Sequence, residues 1–210
     1  MQTIALFATA KYLTWADYGT DLQNSYYGLS PNRVSQPWAD LPVPGYGRLI
    51  CLGVTGEQQQ IELPSDRPED SMGFVVAQIP ENLEEVSLLG FVADHQTNLI
   101  GETIAIANLP AIDTLIDEMY YLESTYREIT EEFGDNDAVQ SFDLQALIPL
   151  LNRIYANSPE DQWLDQINSV LKPNESEAVL AGVREDNQDL VDLSFAAEEL
   201  LDLIKSIREA

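Results

Sequence analysis

The turn-forming residues of this chain are unevenly distributed, and that constrains the fold more than any other feature. Nine of the 11 glycines and seven of the 11 prolines lie in residues 1–108. Frequent breakers between short apolar runs favour strands joined by turns, whereas their scarcity after Asn108 favours longer helices. The sequence therefore predicts an α+β protein, with a β-rich domain over residues 1–108 and a helical domain over residues 109–210.

Six short apolar runs in the first domain are predicted to be strands. They cover residues 3–9, 48–54, 58–63, 73–79, 85–93 and 102–107. Thr55, Gly56 and Glu57 separate the second run from the third and predict a hairpin, because glycine adopts positive φ without steric cost. Residues 80–82 predict another hairpin. Such short links favour a mainly antiparallel sheet, as a meander, a small barrel or a sandwich.

Residues 12–46 form a long segment that is rich in aromatic and turn-forming residues. Its aromatic residues are Tyr12, Trp15, Tyr18, Tyr26, Tyr27, Trp38 and Tyr46. A connection of this length in a compact domain is often functional, or it contains further secondary structure. These side chains could cover the sheet as a lid, but packing within an irregular segment is the simpler interpretation and the one we favour.

The second domain repeats apolar residues at alternating three- and four-residue steps, which is the spacing of one helix face. The first stripe consists of Ile112, Leu115, Met119, Leu122, Tyr126, Ile129 and Phe133. Further stripes lie in residues 143–155, 158–171 and 190–207, and residues 174–177 have the pattern of a capping box. We therefore predict a bundle of four or five amphipathic helices.

The charge of the chain excludes several kinds of partner. Its 36 acidic and 10 basic residues give a formal net charge of −26, most of it in the helical domain. Direct binding to nucleic acid or to an anionic membrane is disfavoured, because both depend on Lys and Arg. One Cys and one His exclude an internal disulfide and multi-His or Cys-rich zinc sites. No apolar run is long enough to span a membrane, so the sequence predicts a cytoplasmic protein.

Two acidic groups are candidates for chemistry, and the first of them is a candidate metal site. The first contains Glu123, Glu128, Glu131, Glu132, Asp135 and Asp137, and the second contains Glu185, Asp186, Asp189 and Asp192. Carboxylates bind Mg²⁺ and Ca²⁺, but Val139 occupies a ligand position of the calcium-loop pattern that begins at Asp135, and its glycine is missing. We interpret the first group as a solvated helix flank and the second as helix-capping acids, and predict no metal.

His95 and Cys51 are the remaining candidates for chemistry. A Cys–His or Ser–His pair stays open, because such partners meet only in the folded chain. His95 follows Asp94 in a polar turn, which predicts a surface position, while Cys51 in an apolar run predicts a small buried side chain. The sequence contains no Gly-x-Ser-x-Gly nucleophile elbow. It also contains no phosphate-binding loop, because Gly45 and Gly47 are not followed by a predicted helix. We predict no catalytic residue and no cofactor.

Four segments between residues 50 and 92 carry a family resemblance. They read Ile-Cys-Leu-Gly-Val from position 50, Gln-Ile-Glu-Leu-Pro from 60, Phe-Val-Val-Ala-Gln-Ile from 74 and Val-Ser-Leu-Leu-Gly-Phe-Val from 86. Together they resemble the central region of the DUF1822 family, a cyanobacterial family of unknown function. The resemblance implies a bacterial intracellular protein and carries over no catalytic residue.

Three kinds of function remain. The leading hypothesis is a non-enzymatic interaction or regulatory module whose acidic surface binds a basic protein partner, since negative potential speeds such encounters. The alternative is a carboxylate- or divalent-metal-dependent hydrolase or transferase with a site between the two halves. Self-association into a homo-oligomer is the third, through the final helical stripe or an exposed strand edge.

Overall fold

A computed structural model gives the fold. It describes residues 1–25, 38–64, 68, 70–96 and 103–133, and then 148, 151–152, 154–156, 158–159, 162–163, 165–166, 200–201 and 204–205. The chain divides into two compact units, Met1–Met119 and Tyr120–Ala210. The elements in chain order are α1 (Gln2–Trp15), β1 (Ala39–Val43), β2 (Gly47–Val54), β3 (Gln60–Glu62), β4 (Ser71–Gln78), β5 (Ser87–Ala93), β6 (Thr103–Ala105) and α2 (Thr114–Phe133). Two 3-10 turns, Asp94–Gln96 and Ile106–Asn108, follow β5 and β6.

The chain begins with a helix, so the strand predicted over residues 3–9 is wrong. The buried residues of α1 are Ala5, Leu6, Thr9, Ala10 and Leu13, which lie on one helix face. The other side of α1 also carries apolar residues, and the apolar run of residues 4–8 is too short to distinguish helix from strand. The inner face of α1 packs on the sheet, with contacts to β1, β2, β4 and β5.

The main sheet has four strands in the order β1-β2-β4-β5. The pairs β1–β2 and β4–β5 are antiparallel, whereas β2 and β4 are parallel. The hairpin predicted around residues 80–82 is thereby confirmed, because it joins β4 to β5. The hairpin predicted at Thr55–Gly56–Glu57 is wrong, and so are the meander and the barrel: the chain leaves the sheet after Val54 and returns beside β2 as β4.

The crossover between β2 and β4 contains β3, which pairs with β6 in a separate two-stranded sheet. Ile61 and Leu63 from this crossover join a buried cluster with side chains from one face of the main sheet. The other members of the cluster are Trp38, Ile50, Leu52, Val54, Phe74 and Val76. Because α1 covers the opposite face, β2 and β4 are buried on both sides, which accounts for their unbroken apolar runs.

β1 was not predicted, because it lies within the segment interpreted as irregular. Pro42 sits in this strand, and proline is tolerated there because β1 is at the edge of the sheet. The turn that follows contains Gly45 and Gly47 with φ of 92° and 120°, and the Tyr46 amide donates to the Val43 carbonyl at 3.0 Å. These glycines therefore close a β-hairpin.

The predicted bundle of four or five helices is wrong. After the sheet, the described residues form α2 and scattered helical positions such as 154–156 and 204–205, which amount to two or three helices. Three-and-four spacing identifies the face that a helix would bury, but it does not decide how many segments become helices. The α+β class itself is confirmed, and the helix predicted after residue 174 lies outside the described residues.

Apart from Tyr126, which is 41% exposed, the described side chains from the predicted stripes in the second unit are buried. They include Leu122, Ile129, Leu151, Ile154, Trp163, Leu200 and Ile204. The Tyr121 hydroxyl donates to Asn152 Oδ1 at 2.9 Å, and the Trp163 indole N–H donates to the Ser158 carbonyl at 3.0 Å. The apolar stripes therefore mark buried faces even where the number of helices was overestimated.

Candidate functional site

Cys51 lies on β2 beneath α1 and is fully buried. Its thiol donates to Thr9 Oγ1 at 3.7 Å, and the Thr9 hydroxyl donates to the Ala5 carbonyl at 2.9 Å. Burial raises the pKa of the thiol to about 12, and the weak hydrogen bond to Thr9 offsets this only in part. Because the thiolate is the nucleophilic form, this cysteine is unsuited to catalysis at neutral pH. The prediction of a small buried side chain is confirmed.

His95 is buried, so its predicted surface position is wrong. It lies in the 3-10 turn after β5, where its Nδ1 is 3.3 Å from Glu118 Oε1 on α2. The two side chains are only 8% and 11% exposed. The polar sequence around His95 indicated a surface turn, but the first turns of α2 supply a carboxylate that the local sequence does not reveal. This His–Glu pair joins the first turns of α2 to the 3-10 turn after β5.

Arg48 forms an ion-pair cluster that the sequence analysis did not identify. Its guanidinium contacts Asp40 Oδ2 at 2.5 Å and Asp70 Oδ2 at 3.2 Å, while its amide donates to the Asp70 carbonyl. Burial alone would lower the pKa of Arg48, but the hydrogen bonds and charges of the two aspartates raise it overall. The sequence feature that could have indicated this cluster is the single arginine directly before the apolar run 49–54. The cluster joins β1, β2 and the start of β4.

A tyrosine on α1 contacts the residues that begin α2. The Tyr12 hydroxyl donates to Asp113 Oδ1 at 3.1 Å. Burial, this hydrogen bond and the charges of Asp113 and Asp117 raise the pKa of Tyr12 to about 12. The neutral phenol is favoured because a phenolate would face two carboxylates. Tyr12 therefore acts as a hydrogen-bond donor and not as a base.

The first acidic group of the sequence is described only in part. Glu123 and Glu131 are exposed and Glu128 is half-buried on α2, whereas the side chain of Glu132 and residues 135 and 137 lie outside the described part. The second acidic group, residues 185–192, also lies outside it. Among the residues that the structure describes, no three His, Cys, Asp or Glu side chains are grouped as metal ligands.

The aromatic residues of segment 12–46 fall into different environments. Trp38 belongs to the core, and the rings of Tyr18 and Tyr46 form an edge-to-face pair with centroids 5.5 Å apart. Trp15, by contrast, is 80% exposed at the end of α1. Tyr26 and Tyr27 lie outside the described residues. Packing rather than a lid therefore accounts for the buried members, and Trp15 is the exception.

Comparison with known proteins identifies a family. Residues 1–205, nearly the whole chain, match the family model described as "Protein of unknown function (DUF1822)". The resemblance first noted in residues 50–92 is thereby confirmed. Neither a curated protein nor a solved structure matches the chain. In the described ranges, no helix combines the length and apolar character needed to cross a membrane.

Proposed function

The chain belongs to the DUF1822 family, and on that premise we propose that it is a non-catalytic interaction module whose acidic surface binds a basic protein partner. The observation that carries this proposal is the segregation of side chains on α2. Leu115, Met119 and Ile129 are fully buried, whereas Asp117, Glu123 and Glu131 are exposed. A helix built in this way presents its carboxylates to solvent.

The electrostatics of the chain favour a cationic partner. Exposed carboxylates on one helix create a local negative potential, and the net charge of −26 adds a long-range component. At physiological ionic strength the long-range component is screened beyond about 8 Å, so the local arrangement on α2 decides where a partner binds. Basic proteins are attracted to such a surface, and phosphate backbones are repelled.

The positions of the reactive side chains also support a non-catalytic role. Cys51 is buried beneath α1, His95 is paired with Glu118, and Asp40 contacts Arg48. Each of these groups makes a contact that joins two elements of the fold. These contacts give the three groups structural roles, which supports an interaction surface rather than a catalytic site.

The test compares two charge-reversal variants of equal net charge. One carries Asp117→Lys, Glu123→Lys and Glu131→Lys on α2, and the other carries Glu57→Lys, Glu62→Lys and Glu81→Lys, all of which are exposed in the first unit. Binding of a fluorescein-labelled decalysine peptide is measured by anisotropy in 0.05 and 0.15 M salt. We expect the α2 variant to bind about tenfold more weakly than wild type, which corresponds to about 1.4 kcal/mol.

The matched variant separates a local surface from net charge alone. It should lose no more than about threefold in affinity, because none of its reversed residues is on α2 and salt screens their longer-range effect. Equal losses in the two variants would show that decalysine responds only to total charge and would overturn the proposal. Circular dichroism of both variants checks that the fold is retained.

A further inference from the structure

α1 has a composition unlike the rest of this acidic chain. Its 14 residues contain no Asp or Glu, and its only charged side chain is Lys11. Apolar residues occur on both sides of the helix, and a helix that is apolar all round is normally buried all round. Only one side of α1 packs on the sheet, so its outer face has the composition of a covered surface.

Three residues define this outer face. Phe7, Lys11 and Trp15 are four residues apart, and they form a row about 12 Å long on the helix. Phe7 is 53% exposed and Trp15 is 80% exposed. Lys11 Nζ lies 5.8 Å from the centre of the Trp15 ring, in the range of a cation–π contact. The face therefore offers two aromatic rings with one positive charge between them.

A complementary surface occurs on α2 of the same chain. Tyr120 is 61% exposed, and the exposed carboxylates Asp117 and Glu123 lie three residues before and after it. This spacing places both acids beside the tyrosine ring on one helix face. The α2 surface thus has the opposite arrangement to α1, with one aromatic ring between two negative charges.

We propose that the outer face of α1 binds a second copy of this chain, by packing against the Tyr120 surface of α2 in that copy. Phe7 and Trp15 would contact Tyr120, and Lys11 would pair with Asp117 or Glu123. Two different surfaces meet in this contact, so the association is heterologous and each copy keeps one surface available for another.

The net charge determines how this association responds to salt. Two copies, each of charge −26, repel one another when screening is weak. The screening length falls from about 30 Å at 0.01 M salt to about 8 Å at 0.15 M, which removes most of that repulsion and leaves the short-range contact. We therefore expect association to strengthen over this range. The contact area of two short helix faces is well below that of stable dimers, so the complex is weak and transient.

Sedimentation equilibrium of the full chain from 5 to 500 µM tests the proposal. We expect the average mass to rise with concentration at 0.15 M salt and to rise less at 0.01 M. Phe7→Ser with Trp15→Ser should weaken association at least about tenfold, because the aromatic contact supplies most of the buried area. The same double variant should bind decalysine as wild type does, so this inference and the proposed function fail independently.

A charge swap identifies the two surfaces. Lys11→Glu and the pair Asp117→Lys with Glu123→Lys should each weaken self-association, whereas an equimolar mixture of these two variants should associate within about threefold of wild type. Glu57→Lys with Glu62→Lys has the same charge change as the α2 pair and serves as the control. Failure of the mixture to recover would overturn the assignment of these surfaces.

Trp15 also reports directly on its environment, because Trp38 and Trp163 are buried. At 1 µM, acrylamide should quench a component of the fluorescence that Trp15→Phe removes, and the quenching should decrease as association proceeds. A mass that stays monomeric at all concentrations would overturn the proposal. Shielding of Trp15 from acrylamide in the monomer would also overturn the proposal, because it would indicate that the same chain covers this face. Shielding of Trp15 only by phosphatidylcholine vesicles would overturn it too, because it would indicate that the face binds a lipid surface.

Discussion

The helices α1 and α2 bury their apolar residues in different ways. α2 separates buried Leu115, Met119 and Ile129 from exposed carboxylates, whereas α1 carries apolar residues on both its packed and its outer face. Because apolar and charged residues are separated on α2, the sequence shows its helical period. The apolar residues of α1 are not separated in this way, so the sequence does not show its helical period. Clear amphipathicity thus indicates a helix with one packed face, and α1, which lacks it, exposes Phe7 and Trp15 on its outer face.

The strongest test of this comparison is on α1 itself. Leu6 is fully buried against the sheet and the adjacent Phe7 is more than half exposed. Leu6→Ala should lower the free energy of unfolding by about 2–5 kcal/mol through lost burial and the cavity left behind, whereas Phe7→Ala should change it by no more than about 0.5 kcal/mol. Urea denaturation measures both. Similar losses in the two variants would show that the outer face of α1 is packed in the monomer.

A buried threonine on each helix gives a second contrast, with effects of opposite sign. Thr9 on α1 donates to the Ala5 carbonyl and accepts from Cys51, while Thr125 Oγ1 on α2 is buried with no hydrogen-bond partner among the described residues. Thr9→Val should destabilise the protein by about 1 kcal/mol, and Thr125→Val should stabilise it by a similar amount. Thermal unfolding of both variants provides the measurement, and a destabilising Thr125→Val would refute the contrast.

The smallest effect concerns the hydrogen bond from α1 to the residue that precedes α2. The pKa of Tyr12 is about 12 in the folded protein against an ordinary value of 10.0, so the folded chain keeps a proton that the unfolded chain loses. Its contribution to stability is therefore complete below pH 10 and is lost as the pH rises towards 12. Tyr12→Phe should make the urea midpoint less dependent on pH between 9 and 11.

Absorbance at 295 nm provides the independent check on Tyr12. One tyrosinate transition near pH 12 should disappear in Tyr12→Phe, and it should move to lower pH in Asp113→Asn, because that variant removes a neighbouring negative charge. An unchanged high-pH transition in Tyr12→Phe would mean that another tyrosine is responsible.

Much of the sheet was predictable from local patterns. The runs at 48–54 and 73–79 correspond to β2 and β4, and the turn at 80–82 joins β4 to β5. The apolar stripe of residues 112–133 gave the position of α2. These predictions succeeded because the period of each apolar run and the turn residues beside it act over a few neighbouring positions.

The remaining features depend on contacts between distant parts of the chain. The parallel pairing of β2 with β4 follows from where Ile61 and Leu63 are buried, and nothing near Gly56 shows that the chain will leave the sheet. The His95–Glu118 pair and the Arg48–Asp40–Asp70 cluster join residues between 8 and 23 positions apart. Their polar residues look like surface residues until the fold brings their partners close.

The burial of Cys51 beneath α1 has a practical consequence. A thiol reagent reaches this sulfur only while the helix is lifted from the sheet, and the chain has no second cysteine to obscure the signal. The rate at which the reagent labels Cys51 therefore reports the opening of α1 from the sheet. This measurement needs no mutation and no attached dye, so the native Cys51 is a probe for the opening of α1.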